Sequence, residues 1–230
     1  TKNYLKKIKI NKINFIWNFK FSENYDQDSD KINNNLMKEF RGKKIWIASS
    51  THKNEEIFCA KAHKELKKSF KNLITIIIPR HIHRSENIIS EINNLNLKVC
   101  LHSSKQKKLN DTDIYIVDTF GETKKFHKLG SSVFLGGSII ERGGQNPLEA
   151  ARYGAKILHG PNTDNFKDVY KLLKTLKVSK KIYTPKELAS SIVFNKNKSI
   201  GNNIKRIGEN ILKNTIKELD KIIINEFKKT

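Results

Sequence analysis

At 230 residues the chain is long enough for one well-cored domain of about 150–200 residues with appendages. Its formal net charge of +22 favours anionic partners, but the lysines are spread from end to end, and zinc-finger spacing, an Arg-rich arm and aromatic RNA-stacking motifs are all missing. Two distant cysteines, Cys59 and Cys100, exclude a Cys-x-x-Cys site and suit a reducing compartment, and no apolar run reaches the ~18 residues of a membrane-spanning helix.

Residues 4–21 are basic and partly alternating (Ile8, Ile10, Ile13, Phe15), and 22–35 is a polar stretch that reads as a linker before a short helix at 36–40. A repeating pattern begins at Lys43. Apolar runs predict strands at 44–50, 73–78, 98–101, 114–117, 133–135, 156–159 and 181–183. Helical spacing predicts helices between them at 54–70, 85–95, 122–129, 147–153 and 165–176, with one more at 185–194. The 73–78 run is β-branched and wholly apolar, as a strand buried on both faces requires. Glu55 and Glu56 suit the positive end of the 54–70 helix. Such alternation indicates a Rossmann-like, doubly wound parallel sheet, in which ligands bind beyond the carboxyl ends of the strands. The tail, 200–227, carries an amphipathic stripe that suits a long helix docked on the domain core, with flanking lysines that leave room for a membrane surface.

The loops after the strands hold the chemistry. Ser49-Ser50-Thr51-His52 offers hydroxyls and free N–H groups at a helix start, which suits an anion or a plain N-cap. Arg80, in Pro79-Arg80-His81-Ile82-His83-Arg84, stands at a strand end and is better placed for phosphate than Arg84. His81 and His83 alternate like a metal pair, yet no nearby acid completes a site, so no metal and no cofactor is expected. In Asp118-Thr119-Phe120-Gly121-Glu122, Gly121 allows close backbone approach, Phe120 suits a base or a core contact, and Thr119 and Glu122 suit a cap. The richest segment is Gly136-Gly137-Ser138 followed by Gly143-Gly144-Gln145-Asn146-Pro147-Leu148-Glu149. Here Asn146 is expected as N-cap, Pro147 in the first turn, and Glu149 as a cleft-facing carboxylate able to accept from a ribose diol. Neither a G-x-G-x-x-G fingerprint nor a P-loop is present.

Taken in order, these motifs resemble the C-terminal half of the 3-deoxy-D-manno-octulosonic acid (Kdo) transferases, which are GT-B glycosyltransferases. The stretches that carry the resemblance are Trp46-Ile47-Ala48-Ser49-Ser50-Thr51-His52 with Glu55-Glu56, Pro79-Arg80-His81 with Arg84, and Asp118-Thr119-Phe120-Gly121-Glu122. Gly136-Gly137-Ser138, Gly143 to Glu149, Gly160-Pro161 and Asn165-Phe166 continue it, and Asn18-Phe19-Lys20-Phe21 resembles the family segment that leads into this half. The resemblance implies three parts: 1–42 as the end of an N-terminal domain and linker, 43–195 as a CMP-Kdo-binding Rossmann-like domain, and 196–230 as an amphipathic helix. It implies transfer of Kdo from CMP-Kdo to a lipid A precursor in lipopolysaccharide synthesis, at the cytoplasmic face of the inner membrane and without a required metal.

CMP contacts are implied at Pro79, Arg80, Phe120, Gly121, Glu122, Asn146, Pro147, Leu148 and Glu149, with Arg80 on phosphate, Glu149 on ribose and the helix near Asn146 aimed at the leaving phosphate. The family usually has His where this chain has Gln145, which removes any role of that His. The catalytic carboxylate base is implied to lie in an N-terminal acceptor domain that reaches the lipid and the membrane, so no catalytic residue is expected in this chain, and it should bind donor without turnover. The alternative is the donor domain of another GT-B enzyme, such as a UDP-sugar transferase or epimerase. The ordered loops argue against a nucleic-acid-binding module, so no nucleic acid is expected as partner.

Overall fold

A computed structural model describes residues 32–104 and 109–227. The basic segment expected at 4–21, its family-like Asn18-Phe19-Lys20-Phe21, and most of the polar stretch lie outside the described residues. The described residues fall into two compact units that divide after Asn202.

The larger unit is a seven-stranded sheet with every neighbour parallel. Its strands are β1 (Lys44–Thr51), β2 (Leu73–Pro79), β3 (Val99–Leu101), β4 (Ile114–Ile116), β5 (Ser132–Leu135), β6 (Lys156–His159) and β7 (Ser179–Lys181). Its helices are α1 (Asn34–Glu39), α2 (Glu55–Lys67), α3 (Ser85–Asn93), α4 (Thr123–His127), α5 (Leu148–Arg152), α6 (Lys167–Thr175) and α7 (Pro185–Ser191). A long last helix, α8 (Lys198–Phe227), begins in this unit, and its remainder from Asn203 is the described part of the second unit. No helix among the described residues is long and apolar enough to cross a membrane.

The doubly wound parallel sheet expected from the alternating pattern is thus the observed fold. The 73–78 run expected to be buried on both faces sits centrally: all of β2 is buried, between β1 and β4. One core layer packs Trp46, Ile77 and Phe134 of the sheet against Cys59 and Leu66 of α2 and Ile88 of α3. Several elements differ in extent from expectation, among them the helices expected at 122–129 and 185–194, which shorten to α4 and α7. β7 is polar (Ser179-Lys180-Lys181) and falls two residues before the predicted run, because it is an edge strand; the apolar Ile182 that drew the prediction lies just past it, buried, with its N–H bonded to His159 O at 2.8 Å. The helix expected at 147–153 shrinks to the five residues of α5.

Strand order β3-β4-β2-β1-β5-β6-β7 places the switch point between β1 and β5, where the chain turns from building one side of the sheet to the other. β1 ends there in an irregularity: Ser49 pairs with Ile78 and Thr51 with Pro79, leaving Ser50 as the extra residue at φ +54°. A bulge of this kind bends a strand end and re-aims its side chains.

Candidate functional site

The loops that leave the carboxyl edge at this switch point are tied together by one buried carboxylate. Glu55, the first residue of α2, is fully buried and accepts four backbone N–H groups: those of His52 (3.0 Å) and Gly137 (2.7 Å), and those of Ser138 (3.1 Å) and Ile139 (3.0 Å). A carboxylate out of water is tolerable only when its lone pairs are filled, and here the β5 loop fills them. The close approach requires Gly136, where a Cβ would lie 2.3 Å from Ser50 O and 2.6 Å from Thr51 Cα. Glu56 is equally buried and is held by Arg84 at 2.9 and 3.3 Å. The pair expected to serve the helix dipole therefore clamps two loops.

The Gly143-to-Glu149 segment is pinned from the far side by the loop after β6. Gly143 has φ +76°, and a Cβ there would meet the Asn165 side-chain amide at 2.5 Å. Asn165 N–H donates to Gly143 O, its side-chain amide donates to Arg142 O, and Tyr170 Oη donates to Gln145 O, each at 3.1 Å. The cap moves by one residue from expectation. Pro147 occupies the cap position of α5, while Asn146 Oδ1 accepts from Leu148 N–H at 3.1 Å, the short Asx link that competes with a regular N-cap. A five-residue helix also has little macrodipole, so the positive end expected there reduces to the few N–H groups of its first turn.

Glu149 follows in that turn with its side chain 21% exposed. One oxygen, Oε1, is bonded to His127 Nδ1 at 2.8 Å; the other makes no hydrogen bond among the described residues. His127, at the end of α4, is buried and also contacts Ser49 Oγ through Nε2 at 2.9 Å. Sequence reading missed His127. Its partners lie 22 and 78 residues away, so local spacing carries no sign of them.

Beside this lies a basic cluster. The His52 and His81 rings are 5.7 Å apart, as are those of His81 and His83, and a Cβ on Gly137 would lie 3.5 Å from His52, 3.3 Å from Arg142 Cβ and 3.4 Å from Gln145 Nε2. Burial, and then the charges of His81, Arg142 and Arg80, hold the His52 imidazole below its ordinary pKa, with Glu56 opposing them. Arg80 is exposed and forms no ion pair among the described residues, whereas Arg84 is committed to Glu56. Thr51 Oγ1, His52 Nε2 and Thr119 Oγ1 are buried without partners, a rare condition for polar atoms, and all three stand at or just after strand ends. No group of three or more His, Cys, Asp or Glu residues among the described ones could hold a metal ion.

The turn after β4 is separate in its bonding. Phe120 is 81% exposed, and Gly121, at φ +79°, faces open space. Glu122 takes the cap position of α4 without a capping bond, pairs with Lys125 at 3.1 Å, and borders a polar cavity of about 780 Å³ with His102, Lys125 and Asn35. Of the nine expected contact residues, Asn146, Pro147, Leu148 and Glu149 are consecutive at the start of α5, with Pro147 and Leu148 buried and Asn146 and Glu149 half-buried. Pro79 is buried at the end of β2, and Arg80 projects beyond it. No hydrogen bond or ion pair among the described residues joins the Phe120-Gly121-Glu122 turn to Arg80 or Glu149.

No family model matches the chain. Among curated proteins it is 28% identical over 163 residues to the 3-deoxy-D-manno-octulosonic acid transferase of Haemophilus influenzae, covering 70% of this chain and 38% of that protein. It is 30% identical over 178 residues to the same-named enzyme of Rickettsia bellii, covering 77% and 42%. The chain therefore spans about two fifths of the length of these relatives. Among solved structures, the C-terminal CMP-Kdo binding domain of WaaA from Acinetobacter baumannii aligns with a TM-score of 0.63 at 22% identity, over 75% of this chain and 91% of that one. That likeness is one of fold, and it matches the GT-B C-terminal architecture expected from the motifs. In sequence and in fold, the chain is related to the 3-deoxy-D-manno-octulosonic acid transferases and corresponds to their C-terminal half.

Proposed function

We propose that the chain is the donor-binding half of a glycosyltransferase that moves Kdo from CMP-Kdo to a lipid A precursor. The observation that carries this reading is Glu149: a partly exposed carboxylate at the switch point, fixed through one oxygen and without a hydrogen bond on the other among the described residues. A carboxylate so placed can accept hydrogen bonds from a ribose diol. Arg80 and Arg142 supply positive charge for the phosphate, with Arg80 as the forked donor, and the His52 and His81 rings stand beside them. Phe120, Gly121 and Glu122 would meet the base, and Asn146, Pro147 and Leu148 would approach the sugar-phosphate through their backbone.

In this reading residues 43–195 form the donor domain, 1–42 end a preceding domain, and 196–230 form an amphipathic helix. CMP departs as the phosphate–sugar bond breaks, and cationic groups that meet the growing charge on its phosphate lower the barrier. The base that activates the acceptor hydroxyl belongs to an acceptor domain outside this sequence, and the enzyme works at the inner-membrane surface in lipopolysaccharide synthesis.

Calorimetric titration of the 230-residue chain with CMP, UMP and UDP tests the reading. CMP is expected to bind tightest. Tighter binding of UDP overturns the assignment in favour of a UDP-sugar enzyme, and Kdo transfer by this chain alone overturns the placement of the base elsewhere.

A further inference from the structure

We propose that His127 is a positioning residue for sugar selection: it orients Glu149 so that the site prefers a ribonucleotide over its 2′-deoxy counterpart. The inference rests on the reading of Glu149 as the ribose acceptor.

The geometry defines the role. An ionised carboxylate can only accept, so the 2.8 Å contact makes His127 Nδ1 the donor to Glu149 Oε1. A neutral imidazole then has Nε2 as its acceptor, and Ser49 Oγ–H donates to it at 2.9 Å. Ser49 and His127 are both buried, so neither ring nitrogen has water as an easy substitute partner. Ser49 is the last residue of β1 before the bulge at Ser50, and its backbone O accepts from Gly136 N–H at 2.9 Å. The orientation of Glu149 is thereby referred, through one imidazole, to the rigid centre of the sheet rather than to its own short helix. With Oε1 held, Oε2 has no hydrogen-bond partner among the described residues, and the side chain is 21% exposed. Acting at one remove, His127 touches no ligand itself.

The test compares CMP with 2′-deoxy-CMP on the full chain. The wild type is expected to bind CMP about tenfold tighter, the size of one hydrogen bond to a charged acceptor. His127→Phe should reduce CMP affinity to near that of 2′-deoxy-CMP while leaving the deoxy ligand within about twofold of its wild-type value. His127→Asn retains an N–H near the Nδ1 position and should restore most of the preference. His127→Gln places its amide toward Ser49 instead and should not.

A full ribose preference in His127→Phe overturns the proposal, as does equal weakening of both ligands, which marks a merely structural role. If the wild type binds CMP but does not distinguish it from 2′-deoxy-CMP, the ribose reading of Glu149 fails instead. Thermal melts of each variant, with the deoxy ligand as internal control, separate misfolding from lost selection.

Discussion

Glu55 and Glu149 are both glutamates in the first turn of a helix that follows a strand at the switch point, yet the molecule uses them in opposite ways. Glu55 is fully buried with four backbone N–H donors on its two oxygens. Glu149 has a single hydrogen-bond partner among the described residues and a side chain 21% exposed. A saturated carboxylate builds a loop; an unsaturated one at the same edge is available to a ligand. The same contrast separates Arg84, spent on buried Glu56, from exposed Arg80. A pair of like residues can therefore be sorted into architecture and recognition by counting unused hydrogen-bonding capacity.

The sharpest way to break this comparison is at Glu55. Glu55→Ala strips four N–H groups of their acceptor and is expected to cost about 4 kcal/mol or more, since each buried donor left unpaired costs ~1–3 kcal/mol. Urea unfolding would measure it; a loss below ~1 kcal/mol would show that water or a relaxed loop replaces the carboxylate. Next comes the arginine pair. Arg84→Met leaves the Glu56 charge buried and alone, costing about 3 kcal/mol and roughly 6–12 °C in melting temperature. Arg80→Met should leave the melting temperature within about 1 °C and weaken CMP about tenfold, with a shallower salt dependence. Equal melting temperatures for the two variants would erase the distinction.

Glu149→Gln is subtler, because the amide oxygen can still accept from His127 while the other position becomes a donor facing the ribose hydroxyls. CMP affinity should fall about tenfold in calorimetry with stability changed by less than ~1 kcal/mol. The smallest effect is expected away from the edge. Burial opposes ionisation of Asp113, but His63, Lys67 and the Lys98 N–H overcome it and hold the carboxyl well below the usual range. A carboxylate depressed in this way contributes stability above its unfolded pKa near 3.9, and the contribution fades as pH falls below that value. The stability gap between wild type and Asp113→Asn should thus be flat from about pH 7 to pH 5 and shrink from about pH 4 downward. A gap that instead grows in acid would reverse the assigned direction.

Much of this was legible in residue order. The apolar runs located six of the seven strands to within one residue at either end, because strands whose faces are covered are continuously apolar, as the buried β2 and β4 and the half-buried β3 are. β7 escaped since a polar edge strand carries no such run. The motif order pointed to Glu149 and to Arg80 ahead of Arg84, but periodicity had no means of finding His127 or of giving Glu55 its role. Apart from the local His52–Glu55 link, their bonds reach across 22 to 84 residues of chain and depend on which strands become neighbours.

By itself, then, the sequence determined the parallel α/β class, the positions of the loops that follow its strands and the relationship to Kdo transferases. These follow from local patterns that any folded copy must keep. Tertiary structure alone decided which acids are filled and which stay open, since hydrogen-bond saturation is a property of neighbours in space. The strand order that brings β1 beside β5 sets Ser49, His127 and Glu149 in line, and that alignment, more than the glycine-rich loop itself, makes the carboxylate a directed acceptor.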